Sequence, residues 1–356
     1  MVLSGATVAN EIGFREHTAI INLTIVQSAT SHFLYQVYFV GSAVKSGSIK
    51  KIRGLLLLFL SQSLHKTSKV TMPNPTADLA ITLQSQHDVA KLSTQQPQNN
   101  HRTNLINIWP ISSNSKILEI GCGQGDCTDV LARAVGPAGH IDAIDPAPLD
   151  YGSPETLGEA QARLSQSRIG PRITWHQVSP VEFLASVEEG AYDVAVLCHS
   201  IWYFASPAVV LDTLCALKGK AGKLCIAEYA LSATEADAVP HVLAALTRAS
   251  LEAHKIVSEE NIRTALAPDA IRCIAKEVGW KLVCEKRILP EEGLEDGKWE
   301  TNTVVDESFL DEVEKNIKEE KVRVVLRSMR EAVKGAVATL GGKGVRTMDV
   351  WVATFE

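Results

Sequence analysis

The sequence predicts an α/β protein with a mostly parallel β-sheet that is covered by helices on both faces. From Asn104 onward, short apolar segments of strand length alternate with segments whose apolar residues recur at helical spacing. A turn with three alternate glycines follows the first of these strands, and an acidic residue ends the next one. Ligands of such sheets bind at the carboxyl ends of the strands, which is where this turn is expected.

The strands and helices are expected in regular alternation. Strands are predicted at Lys116–Ile120, Gly139–Asp145, Arg172–Trp175, Tyr192–Cys198 and Lys223–Glu228. Helices between them are predicted at Cys127–Val135, Thr156–Ser165 and Ala208–Leu217. The first helix is expected to end before Gly136 and Pro137, because glycine readily closes a helix and proline cannot continue one.

The glycine turn lies in the segment KILEIGCGQGD, which runs from residue 116 to residue 126. Gly121, Gly123 and Gly125 let a ligand press against the main chain, and they expose amide groups at the start of the following helix. Asp145 lies 20 residues beyond Gly125, at the end of the next predicted strand. A carboxylate at that place is suited to accept two hydrogen bonds from a ribose diol.

Two other glycine-rich nucleotide sites are excluded by spacing and charge. A dinucleotide turn would place a third glycine where this chain has Asp126, and the sequence contains no phosphate-binding G-x-x-x-x-G-K-S/T pattern. Glu119, which precedes the turn, would repel a pyrophosphate but suits a ligand with an ammonium group and a sulfonium. A purely structural tight turn is the alternative interpretation.

Composition and charge narrow the class further. The chain of 356 residues has a net charge of −6 and no block of five or more basic residues, whereas nucleic-acid partners require a clustered basic surface. Its seven cysteines include no C-x-x-C pair. Scattered cysteines in apolar segments predict reduced thiols in a cytoplasmic protein, with neither a disulfide framework nor a metal site.

The first 71 residues differ from the rest of the chain. They carry seven Lys and Arg against two Asp and Glu, whereas the remainder carries 28 against 39. Their most apolar run, Leu55 to Leu60, is far shorter than the ~20 residues of a membrane span. We therefore expect a poorly ordered leader over residues 1–77, followed by one domain over residues 78–356. A membrane anchor, an organelle-targeting leader and a true start at Met72 are the alternatives for this segment.

The glycine turn and the acid-ended second strand together resemble the class I S-adenosylmethionine-dependent methyltransferases over residues 104–228. The chain more specifically resembles fungal small-molecule methyltransferases, often linked to secondary metabolism. The matching stretches are LEIGCGQGD, DPAPLDYGSPETLGEAQ, CHSIWYFASP, NIRTALAP, GKWE and RTMDVWVATF. The resemblance implies a Rossmann-like sheet of seven strands whose last two form an antiparallel pair, with Val278–Leu289 and Thr347–Phe355 as that pair. It also implies an added helical lid, with helical insertions at about 231–270 and 306–340.

The resemblance further implies a site for S-adenosylmethionine. Its residues would be Glu119, Gly121, Gly123, Gly125, Asp145, Ser179 and Cys198. Glu119 would orient the amino group of the cofactor, and Asp145 would hold the ribose hydroxyls. Ser179 stands where the family usually has a carboxylate for the adenine amine, and a hydroxyl accepts there without charge and with shorter reach.

The segment from Cys198 to Tyr203 is the one that would face the methyl group. His199 is a candidate general base, because its reference pKa of ~6.5 suits it to take a proton from a hydroxyl. Binding the cofactor or packing the loop is the alternative for this residue. Trp202 and Tyr203 would bind a planar substrate or pack in the core.

Three more residues near the predicted site are candidates. His241, in an apolar-rich helix after the fifth predicted strand, is a second candidate base or a satisfied histidine of the lid. His101 and Arg102 precede the first predicted strand of the domain and would touch the carboxylate of the cofactor or lie at the surface.

The sequence thus predicts methyl transfer to a small, planar or apolar metabolite, at oxygen. A nitrogen or sulfur acceptor, or a cofactor-binding protein that transfers no methyl group, are the alternatives. Asp306–Leu340 is expected to form a long helical stretch, with Glu314 and Lys318 at ion-pair spacing. Its apolar stripe needs either the lid or a second copy of the chain as a partner; the stripe contains Val322, Val325, Leu326, Met329 and Val333.

Overall fold

The structure is a computed structural model that describes residues 9–16, 19–27, 33–40, 86–255, 258 and 260–356. The chain divides into two units, Met1–Thr82 and Leu83–Glu356. The first contains an antiparallel sheet of β1 (Ala9–Glu16), β2 (Ala19–Gln27) and β3 (Phe33–Val40).

The three strands of the first unit are not predicted from the sequence. Their pattern is clearest in β2, where apolar Ile21, Leu23 and Ile25 alternate with polar neighbours, as residues on opposite sides of a strand do. Residues 41–77 of the expected leader, with the apolar run Leu55 to Leu60, lie outside the described residues, so the extent of the leader stays a prediction. Within the described ranges, no helix has both the length and the apolar character needed to cross a membrane.

The second unit is built on a seven-stranded sheet. Its strands are β4 (Lys116–Ile120), β5 (His140–Ile144), β6 (Ile173–His176), β7 (Tyr192–Cys198), β8 (Ala221–Tyr229), β9 (Leu282–Ile288) and β10 (Val350–Phe355). They lie in the order β6-β5-β4-β7-β8-β10-β9. Pairing is parallel from β6 to β8, and β10 runs antiparallel to both of its neighbours. The predicted sheet and its antiparallel last pair are confirmed.

Ten helices are described in this unit. They are α1 (Gln86–Ile108), α2 (Asp126–Ala134), α3 (Leu157–Ser165), α4 (Pro180–Ala185), α5 (Pro207–Leu217), α6 (Val239–Glu252), α7 (Pro268–Glu277), α8 (Asp296–Val305), α9 (Ser308–Asn316) and α10 (Glu320–Ala338). One apolar core includes Leu105 of α1 and Leu131 of α2, and a second includes Leu214 of α5 and Ile271 of α7. Helices therefore cover both faces of the sheet, as predicted.

The cores explain why the central strands read as nearly continuous apolar runs. Ile117, Leu118 and Ile120 of β4 are fully buried, with Ile117 in one core and the other two in the second core. Side chains that alternate between two buried faces must all be apolar, which is typical of parallel sheets. This local pattern made the sheet predictable.

Helix α1 is longer than the sequence suggests. The polar segment Ser93 to Asn100 looks like a loop or a helix end, but it lies inside α1, which continues through Pro97. Proline removes one helical hydrogen bond and disfavours the interior of a helix. Burial of Leu105, Ile106 and the adjoining Trp109 in the core stabilises the second half of α1 against that cost.

The helical stretch predicted over residues 306–340 contains two helices, α9 and α10, with a break between them. Ile317 adopts an extended conformation between them and is buried with Leu251 and Phe309 in one cluster. Burial of this side chain favours the break over a continuous helix. Glu314 consequently forms ion pairs with Arg323 and Arg327 across the break, and the predicted pair with Lys318 is not formed.

Helices α6, α8 and α9, which with α10 form the lid, cover most of the apolar stripe on α10. Leu326 packs with Leu251 of α6 and Val313 of α9, and Val333 packs with Ala244 and Val304. The stripe was predicted to include Val325, which is 55% exposed. The lid is therefore the partner of α10 in this structure, and a second copy of the chain stays a prediction.

The division of the chain predicts that the C-terminal unit folds without the leader. A chain that begins at Met72 retains all of Leu83–Glu356, and with it the seven-stranded sheet and its helices. We expect it to bind cofactor and to melt within a few degrees of the full-length protein in calorimetry. A large loss of melting temperature or of cofactor affinity would mean that the first 71 residues pack on the domain.

Candidate active site

The glycine turn lies at the carboxyl end of β4, between β5 and β7. All three glycines have positive φ angles, of 79°, 51° and 88° at Gly121, Gly123 and Gly125. A Cβ atom at Gly121 would come within 2.5 Å of Ser200 Cβ, and one at Gly125 within 2.6 Å of Leu164 Cδ1. A Cβ at Gly123 would meet nothing within 4 Å among the described residues. Packing thus requires glycine at positions 121 and 125, whereas Gly123 faces open space.

Asp145 follows β5 and lies against the same turn. Its Oδ2 accepts a hydrogen bond from the Gly123 amide at 2.9 Å, and its Oδ1 accepts one from the Ala147 amide at 2.9 Å. The residue is partly exposed, and each carboxylate oxygen can accept a second hydrogen bond. The predicted ribose acceptor is therefore held in a fixed orientation beside the open face of the turn.

Glu119 lies beneath the turn rather than in the open space. It is 1% exposed and accepts a hydrogen bond of 2.6 Å from Thr128 Oγ1 in α2. Burial raises the pKa of Glu119 to about 7, and the Thr128 and Cys127 hydrogen bonds and the charge of Arg102 oppose this rise. Glu119 therefore joins α2 to the turn, and its predicted contact with the cofactor amino group stays a prediction.

Ser179 and Cys198 lie at the ends of two other strands. Ser179 follows β6 and caps α4, where its hydroxyl oxygen accepts from the Glu182 amide at 3.3 Å. Its hydroxyl proton is not used in that bond. Cys198 ends β7, is buried, and lies within hydrogen-bonding reach of Cys127 at the start of α2. The structure brings both residues to the predicted edge of the sheet.

His199 follows β7 in a strained conformation. Its φ angle is 53°, a left-handed value that residues other than glycine seldom adopt. The His199 amide donates to Ala227 O at 2.8 Å, and Glu228 Oε2 accepts from the Ile201 amide at 3.0 Å. The end of β8 therefore holds the loop that carries His199.

The ring of His199 lies between another histidine and a carboxylate. Its Nε2 is 2.9 Å from His101 Nε2, and its Nδ1 is 3.5 Å from Glu228 Oε1. Only one of the two Nε2 atoms carries the proton between the rings. A proton on His199 Nδ1 faces the carboxylate favourably, whereas a lone pair there would be repelled. His101 Nε2–H therefore donates to His199 Nε2, and His199 Nδ1–H points to Glu228.

Burial keeps these histidines uncharged. Burial lowers the pKa of His101, and the neighbouring His199 ring and the positive charge of Arg102 lower it further. Burial also lowers the pKa of His199 below its usual value of 6.5, although Glu228 opposes this shift. Both rings are consequently neutral at pH 7 and have capacity to accept a proton.

A second network surrounds Tyr229, the last residue of β8. Its hydroxyl donates to Asp296 Oδ1 at 2.7 Å, and Gln98 Nε2 donates to Asp296 Oδ2 at 2.8 Å. The ring of Tyr229 lies 4.5 Å from that of His199, centroid to centroid. Burial alone would raise the pKa of Asp296, but Arg102 and these hydrogen bonds outweigh it and lower the pKa. Asp296 is thus a half-buried carboxylate among hydrogen-bond donors.

Sequence reasoning missed the members of this network. Glu228 could have been found, because it is an acid at the end of a predicted strand, as Asp145 is. Asp296 and Gln98 belong to helices outside the alternating pattern, and 198 positions separate them in the chain. No local periodicity signals such a contact.

Arg102 lies in the same region and has a free donor. Its side chain is buried, and its Nη1 has no hydrogen-bond partner among the described residues. Burial opposes the charge of this guanidinium, and the carboxylates of Asp296 and Asp126 favour it. The structure therefore places the predicted Arg102 in the site and not at the surface.

His241 lies in α6 on the other side of Tyr229. Its ring meets that of Tyr229 edge-on at 5.2 Å, centroid to centroid. Its Nδ1 accepts a hydrogen bond from the Met348 amide at 3.0 Å, so the proton of the neutral ring is on Nε2. Burial lowers the pKa of His241 to about 4. This arrangement favours hydrogen-bond donation over the predicted role as a base, which stays a prediction.

Trp202 and Tyr203 differ in exposure. Trp202 is buried, donates from Nε1 to Leu266 O at 3.1 Å, and packs with Ile262 and Met348. Tyr203 is 47% exposed. The structure favours core packing for Trp202, and the substrate contacts of both residues stay predictions. Among the described residues, no cluster of three or more His, Cys, Asp and Glu side chains is arranged to hold a metal ion.

Comparison with known proteins identifies the family of this chain. A family model described as a methyltransferase domain matches residues 86–285, which is more than half of the chain. The chain belongs to the methyltransferase-domain family. It is an S-adenosylmethionine-dependent methyltransferase of the class I fold.

Individual relatives agree with the family. The methyltransferase phomM from Diaporthe leptostromiformis is 30% identical over 321 residues, and the match covers 78% of this methyltransferase and 82% of that one. The ubiquinone biosynthesis O-methyltransferase of Psychrobacter arcticus is 28% identical over 97 residues, or 27% of this chain and 34% of that one. A crystal structure of a cyclopropane-fatty-acyl-phospholipid synthase-like protein from Lactobacillus casei is similar with a TM-score of 0.64 and 29% identity, covering 74% of this chain and 92% of that chain.

The residues of this methyltransferase fit its cofactor, S-adenosylmethionine. Gly123 leaves open space against the main chain, and Asp145 presents a carboxylate at that space. Arg102 supplies a buried guanidinium with an unpartnered N–H group, which is complementary to a carboxylate such as that of the methionine part. A ligand with a ribose and an amino-acid end thus finds a matching group for each end.

The geometry of Asp145 predicts its contribution to cofactor binding. Replacement by Ala removes the acceptor of the ribose hydroxyls and of the Gly123 amide, and each unpaired buried group costs about 1–3 kcal/mol. We expect Asp145→Ala to weaken the binding of S-adenosylhomocysteine at least tenfold in calorimetry. Asp150→Ala, at an exposed position of the same loop, is the matched control and should bind normally. Equal affinities of the two variants would remove Asp145 from the site.

Proposed function

We propose that this methyltransferase transfers the methyl group to a hydroxyl oxygen of a small metabolite, as part of fungal secondary metabolism. The observation that supports an oxygen acceptor is the chain of His101, His199 and Glu228 at the carboxyl ends of β7 and β8. Bound S-adenosylmethionine supplies an electrophilic methyl group. A hydroxyl becomes a stronger nucleophile when it loses its proton, and this chain of residues is arranged to take one.

We assign the protein's part in the reaction to proton transfer and orientation. Because His199 Nε2 accepts from His101, a proton from the substrate enters through His101 Nδ1 and is passed to His199 Nε2, or enters His199 directly when the His101 ring turns away. The imidazolium of His199 then faces the buried carboxylate of Glu228, which stabilises it. His199 is the base in this proposal, and Glu228 is a positioning residue.

We assign the remaining site residues to the cofactor and its surroundings. Gly123 and Asp145 hold the ribose end, and Arg102 holds the carboxylate of the methionine part. Gly121 and Gly125 shape the turn by the close packing they permit. Water is excluded from the buried histidines, and the two reacting groups are held in alignment. Such alignment contributes on the order of 7–11 kcal/mol in comparable reactions.

The oxygen acceptor is also supported by one relative, whose name describes an O-methyltransferase acting in ubiquinone biosynthesis. Nitrogen acceptors are the second candidate, because the buried carboxylate of Glu228 and the half-buried carboxylate of Asp296 would attract an ammonium group. We further propose a cytoplasmic protein without nucleic-acid partners, in agreement with its net charge of −6 and seven free cysteines.

The acceptor class is tested by product formation. Purified full-length enzyme is incubated with S-adenosylmethionine and a panel of matched phenols, anilines and thiophenols, and S-adenosylhomocysteine is quantified. We expect release above the substrate-free level with phenols, and little with the other two. Preference for anilines would replace the oxygen acceptor by nitrogen. Cofactor binding without release from any compound of the panel would favour a protein that does not transfer the methyl group to such acceptors.

The proposed base predicts a loss of rate without a loss of cofactor. His199→Gln keeps a polar side chain but accepts no proton at neutral pH, so the rate should fall by about 10²–10⁴. Because burial lowers the pKa of His199 below 6.5, kcat/KM of the wild type should be at its plateau at pH 7 and fall on the acid side of 6.5. His254→Gln, an exposed replacement outside the site, is the control.

The same measurement separates base catalysis from binding. Normal turnover of His199→Gln at saturating cofactor, with weak cofactor binding, would make His199 a binding residue. Glu228→Gln should shift the acid limb of the profile to lower pH, because the imidazolium loses its partner, whereas a purely structural Glu228 would leave the limb unmoved.

A further inference from the structure

The lid contributes a hydrogen-bond donor that the folded chain does not use. His241 is fully buried, and its Nε2 has no hydrogen-bond partner among the described residues. Because the Met348 amide occupies Nδ1, the ring cannot exchange its tautomer without losing that bond. The unpartnered atom is therefore an N–H group, and burying such a donor without an acceptor is unfavourable.

A complementary atom lies in the network of Asp296. Gln98 Nε2 donates to Asp296 Oδ2, and this bond fixes the orientation of the amide because a carboxylate accepts only from the NH₂ group. Gln98 Oε1 is consequently left as a hydrogen-bond acceptor, buried and without a partner in the described part of the chain. One free donor and one free acceptor thus flank the Tyr229–Asp296 pair.

The position of these atoms relates them to the methyl acceptor. The ring of Tyr229 contacts His241 on one side and His199 on another, at centroid distances of 5.2 and 4.5 Å. His241 and the proposed base His199 thus both contact one aromatic ring. The carboxylate of Asp296 in the same network disfavours a second anion, so an uncharged oxygen is the suitable acceptor.

We infer that His241 Nε2–H and Gln98 Oε1 form a specificity site for a methyl acceptor that carries an uncharged carbonyl oxygen in addition to its hydroxyl group. The carbonyl accepts from His241, and Gln98 Oε1 accepts an O–H or N–H group of the same molecule. The inference rests on the proposed function only in that the ligand is the methyl acceptor. Binding itself requires no methyl transfer.

Binding of matched probes tests the inference on the full-length protein with S-adenosylhomocysteine present. The probes are the three hydroxyacetophenone isomers and the three ethylphenol isomers, and each matched pair differs by one ketone oxygen in place of two hydrogen atoms. We expect at least one ketone to bind about tenfold more tightly than its ethyl counterpart, the usual effect of one buried hydrogen bond. In the ¹⁵N-histidine-labelled protein, the Nε2–H resonance of His241 should shift with that ketone only.

Two replacements at His241 provide the control. The oxygen of His241→Asn lies where Nδ1 lies and can still accept from the Met348 amide, but the side chain is too short to donate at the Nε2 position. His241→Gln carries an NH₂ group near that position. We expect the ketone preference to vanish in the Asn variant and to persist in the Gln variant.

Each other outcome overturns the inference. Equal binding of ketone and ethyl probes, binding of neither, or a ketone preference that survives in His241→Asn would mean that a water molecule or packing alone satisfies His241. Methyl transfer can fail for every probe while the ketone preference holds, and that result would count against the proposed function and not against this site.

Discussion

The site depends on the burial of one carboxylate, that of Glu228 at the end of β8. It is 1% exposed, and a buried charge is tolerated only with hydrogen bonds or an opposite charge. Its oxygens accept from the amides of Ile201 and Tyr229, and the third neighbour is His199 Nδ1. Those contacts hold the left-handed conformation of His199, set its tautomer and place its Nε2 against His101. Loss of the carboxylate would therefore alter the loop, the ring and the direction of proton transfer together.

The parts of the fold that could be predicted from the sequence are those set by local pattern. Strands β4 and β7 match their predicted bounds because their side chains, apart from Lys116 and Asp193, alternate between two buried faces, and that condition is visible in five to seven residues. The break between α9 and α10 could not be predicted, because both segments have helical spacing and the decision comes from the burial of Ile317 against Leu251, which is distant in the chain. Helix α1 is similar, since contacts made by its second half outweigh the local signal of Pro97.

The site shows the same division between local and distant causes. The turn and Asp145 are recognisable because they adjoin predicted strands, and the structure brings them within one hydrogen bond of each other. The motif alone does not distinguish the glycines that packing requires from the one that faces open space. Ser200 and Leu164, whose side chains make that distinction, follow in other elements. Asp296 and Gln98 meet across 198 positions of sequence, and no short segment contains both.

The histidines of the site illustrate how partners, more than residue type, determine chemistry. His199 and His241 are both buried beside Tyr229, and burial lowers the pKa of both. Their Nδ1 atoms have opposite partners: a carboxylate faces that of His199 and a main-chain amide donates to that of His241. The first arrangement leaves a lone pair on Nε2 and stabilises a proton gained there, whereas the second leaves a fixed N–H and opposes any charge on the ring. In the proposed roles, one histidine takes a proton from the substrate and the other holds an oxygen of it. The proposed base His199 and the proposed donor His241 thus differ chiefly in the partner of Nδ1, which is a carboxylate for His199 and a main-chain amide for His241.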